Sequence, residues 1–185
     1  MIVTESTLEG IFDQIPAIRL SDIVGAKKPK FSYGDRLELI KFLMTKGDES
    51  YPLIWLLTSP NSPHEKHYNS GHQCSRQCEF ILATRETTKD MLSNERFNSS
   101  FKYVLNPLQD YVIQGITAAN ETRLLEDVYY SGRYFDISVA ENAEESEYID
   151  LWDAIKIKAD IEFIYVKDNC KNTIKWITPK ILSQN

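Results

Sequence analysis

The chain has 185 residues, 42% hydrophobic and 26% charged, with a formal net charge of -6. That composition belongs to a folded globular protein, and the length suits one domain able to bury about 70% of the surface its unfolded form exposes. The acidic surplus and the lack of a long basic run argue against a surface that grips phosphate backbones, and the seven glycines form neither a Walker loop nor a dinucleotide fingerprint.

MIVTESTLEGIF has no basic region leading into a continuous apolar one, so no secretory leader is expected. Three cysteines make no disulfide framework, which fits synthesis in a reducing cytoplasm. Ser6 and Glu9 stand at capping-box spacing, Leu8, Ile11, Phe12 and Ile15 follow at helical spacing, and Pro16 marks the stop. AIRLSDIVGAKKPK carries Gly25 and Pro29 and reads as an extended connection, so residues 1–31 are expected to be a helix with an extended arm on a single domain spanning 1–185. A second helix is expected to open within Ser32 to Asp35, with Tyr33, Leu37, Ile40 and Met44 on one face, Leu39 and Leu43 beside them, and an end at Lys46 and Gly47.

YPLIWLLT (51–58) is short, apolar and bounded by polar turns, which predicts a central strand covered on both faces. Its apolar run falls far short of the about twenty residues a membrane span needs. CEFILATR (78–85) is its natural partner, and the connection over 59–77 is longer than the usual two to five residues of a hairpin. Residues 88–118 keep helical spacing through Phe97, Phe101, Val104, Leu105, Leu108, Val112 and Ile116, with Asn106 and Pro107 predicting an N-cap and a break or kink. NETRLLED (120–127) fits either a helical extension or the approach to a strand.

VYYSGRYFDISV (128–139) is aromatic and β-prone, with a turn expected at Ser131 and Gly132. The acidic ENAEESE stretch reads as a solvated loop. In AIKIKADIEFIYV, Ile155, Ile157, Ala159, Ile161, Phe163 and Tyr165 alternate with Lys156, Lys158, Asp160 and Glu162, which defines a long strand with one wet face. KDNCKN is expected to turn the chain and TIKWIT to return as a hairpin strand. The element order gives an α+β fold, with helices packed on one face of a mainly antiparallel sheet.

SPHEKHYNSGHQCSRQC gathers all three histidines and two cysteines. His64, His67, His72, Cys74 and Cys78 are zinc-type donors, and His67, His72, Cys74 and Cys78 form the set that a zinc-binding interaction or regulatory protein would use. The spacing lacks the two close cysteine pairs of a zinc knuckle, and Cys78 shares its strand face with Phe80 and Leu82, so a polar loop ending in a buried cysteine is the favoured reading. A cysteine hydrolase built on Cys74 would need its base and orienting group from separate parts of the fold, whereas every histidine lies in the same loop. Tyr129, Tyr130, Tyr134 and Phe135 offer stacking surface without accompanying cations, which favours core or interface roles.

Across residues 31–166 the order FSYGDRLELIKFL, YPLIWLL, CEFILATRE, LNPLQDYV and YIDLWDAIKIKADIEF resembles a family of short structural proteins from tailed phages of the crAss-like kind. The resemblance implies a tail-terminator or tail-completion type fold without catalytic residues or cofactors, present in the virion. It implies a closed homo-oligomeric ring of about six or twelve copies at the head-tail neck, contacting adjacent neck, portal or tail proteins. DNA would pass the lumen without specific binding. Contacts are expected from His64, His67, Tyr68 and His72 in the long loop and from Tyr129, Tyr130 and Tyr134 in the aromatic strand.

Overall fold

The computed structural model describes residues 4–21, 25–45, 51–58, 66–67, 73–86, 92–126, 129–134, 151–165 and 171–179. In chain order the elements are α1 (Thr4–Phe12), β1 (Ile18–Ser21), β2 (Gly25–Lys27), β3 (Lys30–Gly34), α2 (Arg36–Thr45), β4 (Leu53–Leu57), β5 (Lys66–His67) and β6 (Gln73–Glu86). A continuous helical run follows, made of α3 (Ser93–Arg96), a π-helical stretch (Phe97–Leu105) and α4 (Asn106–Ala118). The remaining strands are β7 (Thr122–Leu124), β8 (Tyr129–Tyr134) and β9 (Leu151–Ile164). β1 and β2 pair as a small hairpin, and the other seven strands form one sheet in the order β3-β4-β6-β9-β7, with β5 added beside β6 and β8 beside β9.

The alternating pattern of β9 is the organising signal. It pairs antiparallel with β6 from Gln73 opposite Ile164 to Glu86 opposite Leu151 without slipping. Successive strand residues face opposite sides, so the ladder sends Cys74, Cys78, Phe80 and Leu82 with Ile155, Ile157, Ala159, Ile161 and Phe163 to one buried face. There they meet Leu8, Ile11, Phe12 and Ile15 from α1 and its end, Phe101, Val104 and Leu105 from the π-helical stretch, and Leu108, Val112 and Ile116 from α4. A smaller core lies on the other face, where Leu39 and Leu43 of α2 cover Leu53, Trp55, Ala83 and Ala154. The α+β class follows from this arrangement: only β3 with β4 runs parallel, every other pairing in the sheet is antiparallel, and most of the helical mass occupies one face.

Several local expectations change. The first helix starts at Thr4, with Ser6 inside it rather than capping it, and its expected apolar face of Leu8, Ile11, Phe12 and Ile15 is buried. The 16–31 connection contains the β1–β2 hairpin and buries Ile18. Residues 30–34 form a strand where a helix start was expected, which leaves Tyr33 and Leu37 exposed while Leu39 and Leu43 are buried.

α2 begins after Asp35 in a true capping box: Glu38 N–H donates to Asp35 Oδ1 and Asp35 N–H donates to Glu38 Oε2, both at 2.8 Å. Gly34 makes this entry possible. Its φ is +157°, its carbonyl accepts from Trp55 Nε1 at 3.1 Å, and a Cβ there would lie 2.5 Å from Glu38 Oε2 and 2.9 Å from Trp55 Cζ2.

The long helix does not break at Pro107. Asn106 is itself helical, with φ -65° and ψ -47°, and its N–H donates to the Phe101 carbonyl five residues back. The wide winding gives way to α-helix where Pro107, which has no N–H, stands in the first turn. β8 runs through Ser131 and Gly132 with a register shift in place of a turn. TIKWIT is not a hairpin strand, since residues 171–179 join no ladder among the described residues and lie along α4. Lys46, Gly47, KDNC and ENAEESE fall outside the described residues.

Arg96 is 2% and Asp153 0% exposed, and Arg96 Nη1 reaches Asp153 Oδ1 at 3.0 Å. Removing one member of such a buried pair strands the other charge, so Arg96→Met is expected to lower the unfolding free energy by about 3–5 kcal/mol, with Arg96→Met/Asp153→Leu recovering much of the loss, both measured by urea denaturation. Gly34→Ala is expected to cost about 1–3 kcal/mol in the same assay through strain and crowding at Trp55.

Candidate interaction surface

Among the described residues, the face of β6 and β9 opposite the large core is covered by α2 only at the β4 end. Beyond it stand Gln73, Ser75, Gln77 and Glu79 of β6 opposite Ile164, Glu162, Asp160 and Lys158 of β9, with Arg123 of β7 opposite Glu162. The side chains are partly or fully exposed, as the wet face of the sequence requires. Glu79 is the centre of its charge arrangement: one carboxylate oxygen contacts Lys156 Nζ and the other Lys158 Nζ at 3.2 Å. Cross-strand neighbours thus fix each other's direction, while Asp160 and Glu162 carry the opposite charge further along the strand.

The two outer margins of this surface are built from short strands. β5 places Lys66 opposite Ser75 and His67 opposite Cys74. β8 places Tyr129 opposite Lys158, Tyr130 opposite Ile157 and Tyr134 opposite Ala154. His67 and the three tyrosines are therefore brought to the flanks of the same β6–β9 ladder by backbone pairing. His64, Tyr68 and His72 lie outside the described residues. The expected loop over 59–77 is shorter than its sequence suggests, because β6 already begins at Gln73 and Lys66–His67 are paired to it.

The zinc set does not assemble around the two cysteines. Cys74 and Cys78 are both buried in the core, and four residues along a strand separate them by about 13 Å. Two thiolates on one zinc stand about 4 Å apart. Burial pushes the Cys78 thiol up to about 12, so it stays protonated in the core at neutral pH. Among the described residues no group of three or more His, Cys, Asp or Glu side chains is placed to hold a metal.

Arg76 and Asp153 also fall on the buried side of the ladder, and strand alternation alone was enough to flag them. Arg76 Nη1 donates to Thr4 Oγ1 at 2.8 Å and to Glu5 Oε1 at 2.7 Å, which ties the first turn of α1 to the N-terminal part of β6. The amide contacts of Gln14, Gln114 and Asn172 to backbone had no sequence signal, because nothing in the pattern shows which extended segment a side-chain amide will meet.

The frame is an α+β protein with a mixed sheet, one thick helical layer and a polar strip on the opposite face. No family model matches the chain, and no curated protein matches it in sequence. Among the described residues no helix is long and apolar enough to cross a membrane.

Burial raises the Glu5 pKa, but the hydrogen bond from Arg76, with further hydrogen bonds and the guanidinium charge, outweighs it and leaves the carboxyl below its usual 4.5. A depressed folded pKa stabilises the fold above the unfolded value and is lost as pH falls through the folded one. Urea denaturation between pH 7 and pH 3 is therefore expected to show acid destabilisation below about pH 4.5, with a shallower pH dependence in Glu5→Gln.

Proposed function

We propose that the chain is a structural component of the virion in tailed phages: a tail-terminator-like subunit that closes into a ring at the head-tail neck. The ring holds about six or twelve copies. It joins portal-side and tail components and leaves a channel through which DNA passes without specific binding. The reading draws on the family resemblance across residues 31–166. The observation that carries it is the open polar strip of β6 and β9, flanked by the paired backbone of β5, β7 and β8.

A ring subunit needs different surfaces that meet head to tail around a rotation axis. The strip carries charges of both signs at fixed cross-strand positions, which gives such a contact a register, and the short flanking strands supply backbone and aromatic positions at its margins. The proposed contact residues toward neighbouring copies or adjacent neck proteins are His67 on one flank and Tyr129, Tyr130 and Tyr134 on the other, together with His64, Tyr68 and His72, which lie outside the described residues. The net charge of -6 favours a lumen that does not retain DNA.

Light scattering coupled to size exclusion, or native mass spectrometry, tests this reading. The expected particle is six or twelve times the 21.4 kDa chain mass. A monomer at every accessible concentration sinks it.

A further inference from the structure

Residues 171–179 pair with no strand among the described residues, and side-chain amides bond to their backbone. Ile177 N–H donates to Gln114 Oε1 at 2.8 Å, and Gln114 Nε2 donates back to the Ile177 carbonyl at 2.9 Å, so one amide makes both bonds that a neighbouring strand residue would make. Ile174 N–H donates to Gln14 Oε1 at 3.2 Å. The Gln14 amide is aimed by its own donation to the Gly10 carbonyl at 3.0 Å. Asn172 closes the other end: its Nδ2 donates to the Ala118 carbonyl and its Oδ1 accepts from Asn120 N–H, both at 2.9 Å.

Between these clips Ile174 is buried, and Trp176 stands edge-on to Tyr111 with ring centroids 5.6 Å apart. Gly115 opens the place for it, since a Cβ there would lie 3.1 Å from the indole. Together α1 and α4 form a peptide-recognition groove: amides at Gln14 and Gln114 for an extended backbone, and a glycine-floored site for one aromatic side chain.

We propose that in the assembled protein this groove is filled by residues 171–179 of a neighbouring copy, so that each subunit gives its segment to one neighbour and receives the segment of another. The proposal rests on the ring reading above. A head-to-tail contact requires every copy to carry two different surfaces that fit each other, and groove and segment are such a pair with the fit displayed within one chain. Exchange repeats the same hydrogen bonds and the same Trp176 contact, so no contact energy opposes it. The segment joins β9 through residues 166–170, and the stretch from Tyr165 to Lys171 spans up to about 20 Å when extended, enough to cross a subunit boundary.

The test places p-benzoylphenylalanine at Trp176 in the full-length chain, irradiates it, and resolves products by denaturing gel and peptide mapping, with native mass measured on the same sample. Expected are covalent multimers in which position 176 of one chain is joined to the α4 helix of another. A multimeric native mass with every crosslink inside its own chain overturns the exchange and leaves the ring reading intact. A monomeric mass with internal crosslinks overturns both.

Because the altered aromatic can disturb folding, a second variant is read independently. Ile177 is largely exposed, and Ile177→Pro removes the N–H that Gln114 accepts. Its thermal unfolding is expected to stay cooperative while subunit dissociation rises about tenfold or more. An unchanged dissociation constant sinks the exchange.

Discussion

The full-length pairing of β6 with β9 is the constraint from which the rest of the molecule follows. Once Gln73 is set against Ile164, strand alternation decides the side of every residue to Glu86 and Leu151, and a slip by one position would carry the apolar set into solvent. The same rule forces two charged residues, Arg76 and Asp153, onto the helix-covered face. Each is answered from a helix: Thr4 and Glu5 at the start of α1 for Arg76, and Arg96 at the start of the π-helical stretch for Asp153. The polar contacts that seat the helices are thus consequences of strand register. They add positional information to an apolar interface that could otherwise slide.

The two faces of this ladder divide the labour of the protein. One is closed by apolar packing against α1, the π-helical stretch and α4, and the other keeps a charged strip on which Glu79 holds Lys156 and Lys158 in place. A subunit of the proposed ring needs a rigid interior behind a polar exterior, and the uninterrupted ladder couples the two residue by residue. The proposed ring and the proposed exchange of the C-terminal segment use different parts of that frame. The first uses the polar strip and its flanking strands, the second the outer side of α1 and α4.

What was legible in the sequence follows from how local the deciding force is. β9 and β4 could be read because alternation and an unbroken apolar run report burial directly, and Leu53–Leu56 together with Ile155, Ile157, Ala159, Ile161 and Phe163 are buried as those patterns require. The opening of α2 at Asp35 was legible, but its buried face was misassigned because Tyr33 and Leu37 mimic a helical face, while the chain enters the helix through Gly34, which leaves room for Trp55 and Glu38. TIKWIT alternates like a strand, yet β7 and β8 take the available edge of β9, so the segment turns to amide partners on the helices. Cys78 was legible as a buried strand residue beside Phe80 and Leu82, whereas Cys74, read as part of the loop, lies on the same buried face four residues along the strand. Position in the sheet, rather than residue type, assigned them to the core.

Gly115 brings the first helix and the last described segment to one point. Ile11 of α1 and Trp176 both approach within 3.1 Å of where its side chain would begin, from two ends of the chain that are far apart in sequence. A change in the seating of either end is therefore transmitted through a single backbone position to the other. Substitutions of Ile11 and of Trp176 act on one shared backbone position, and their effects on stability are not expected to add.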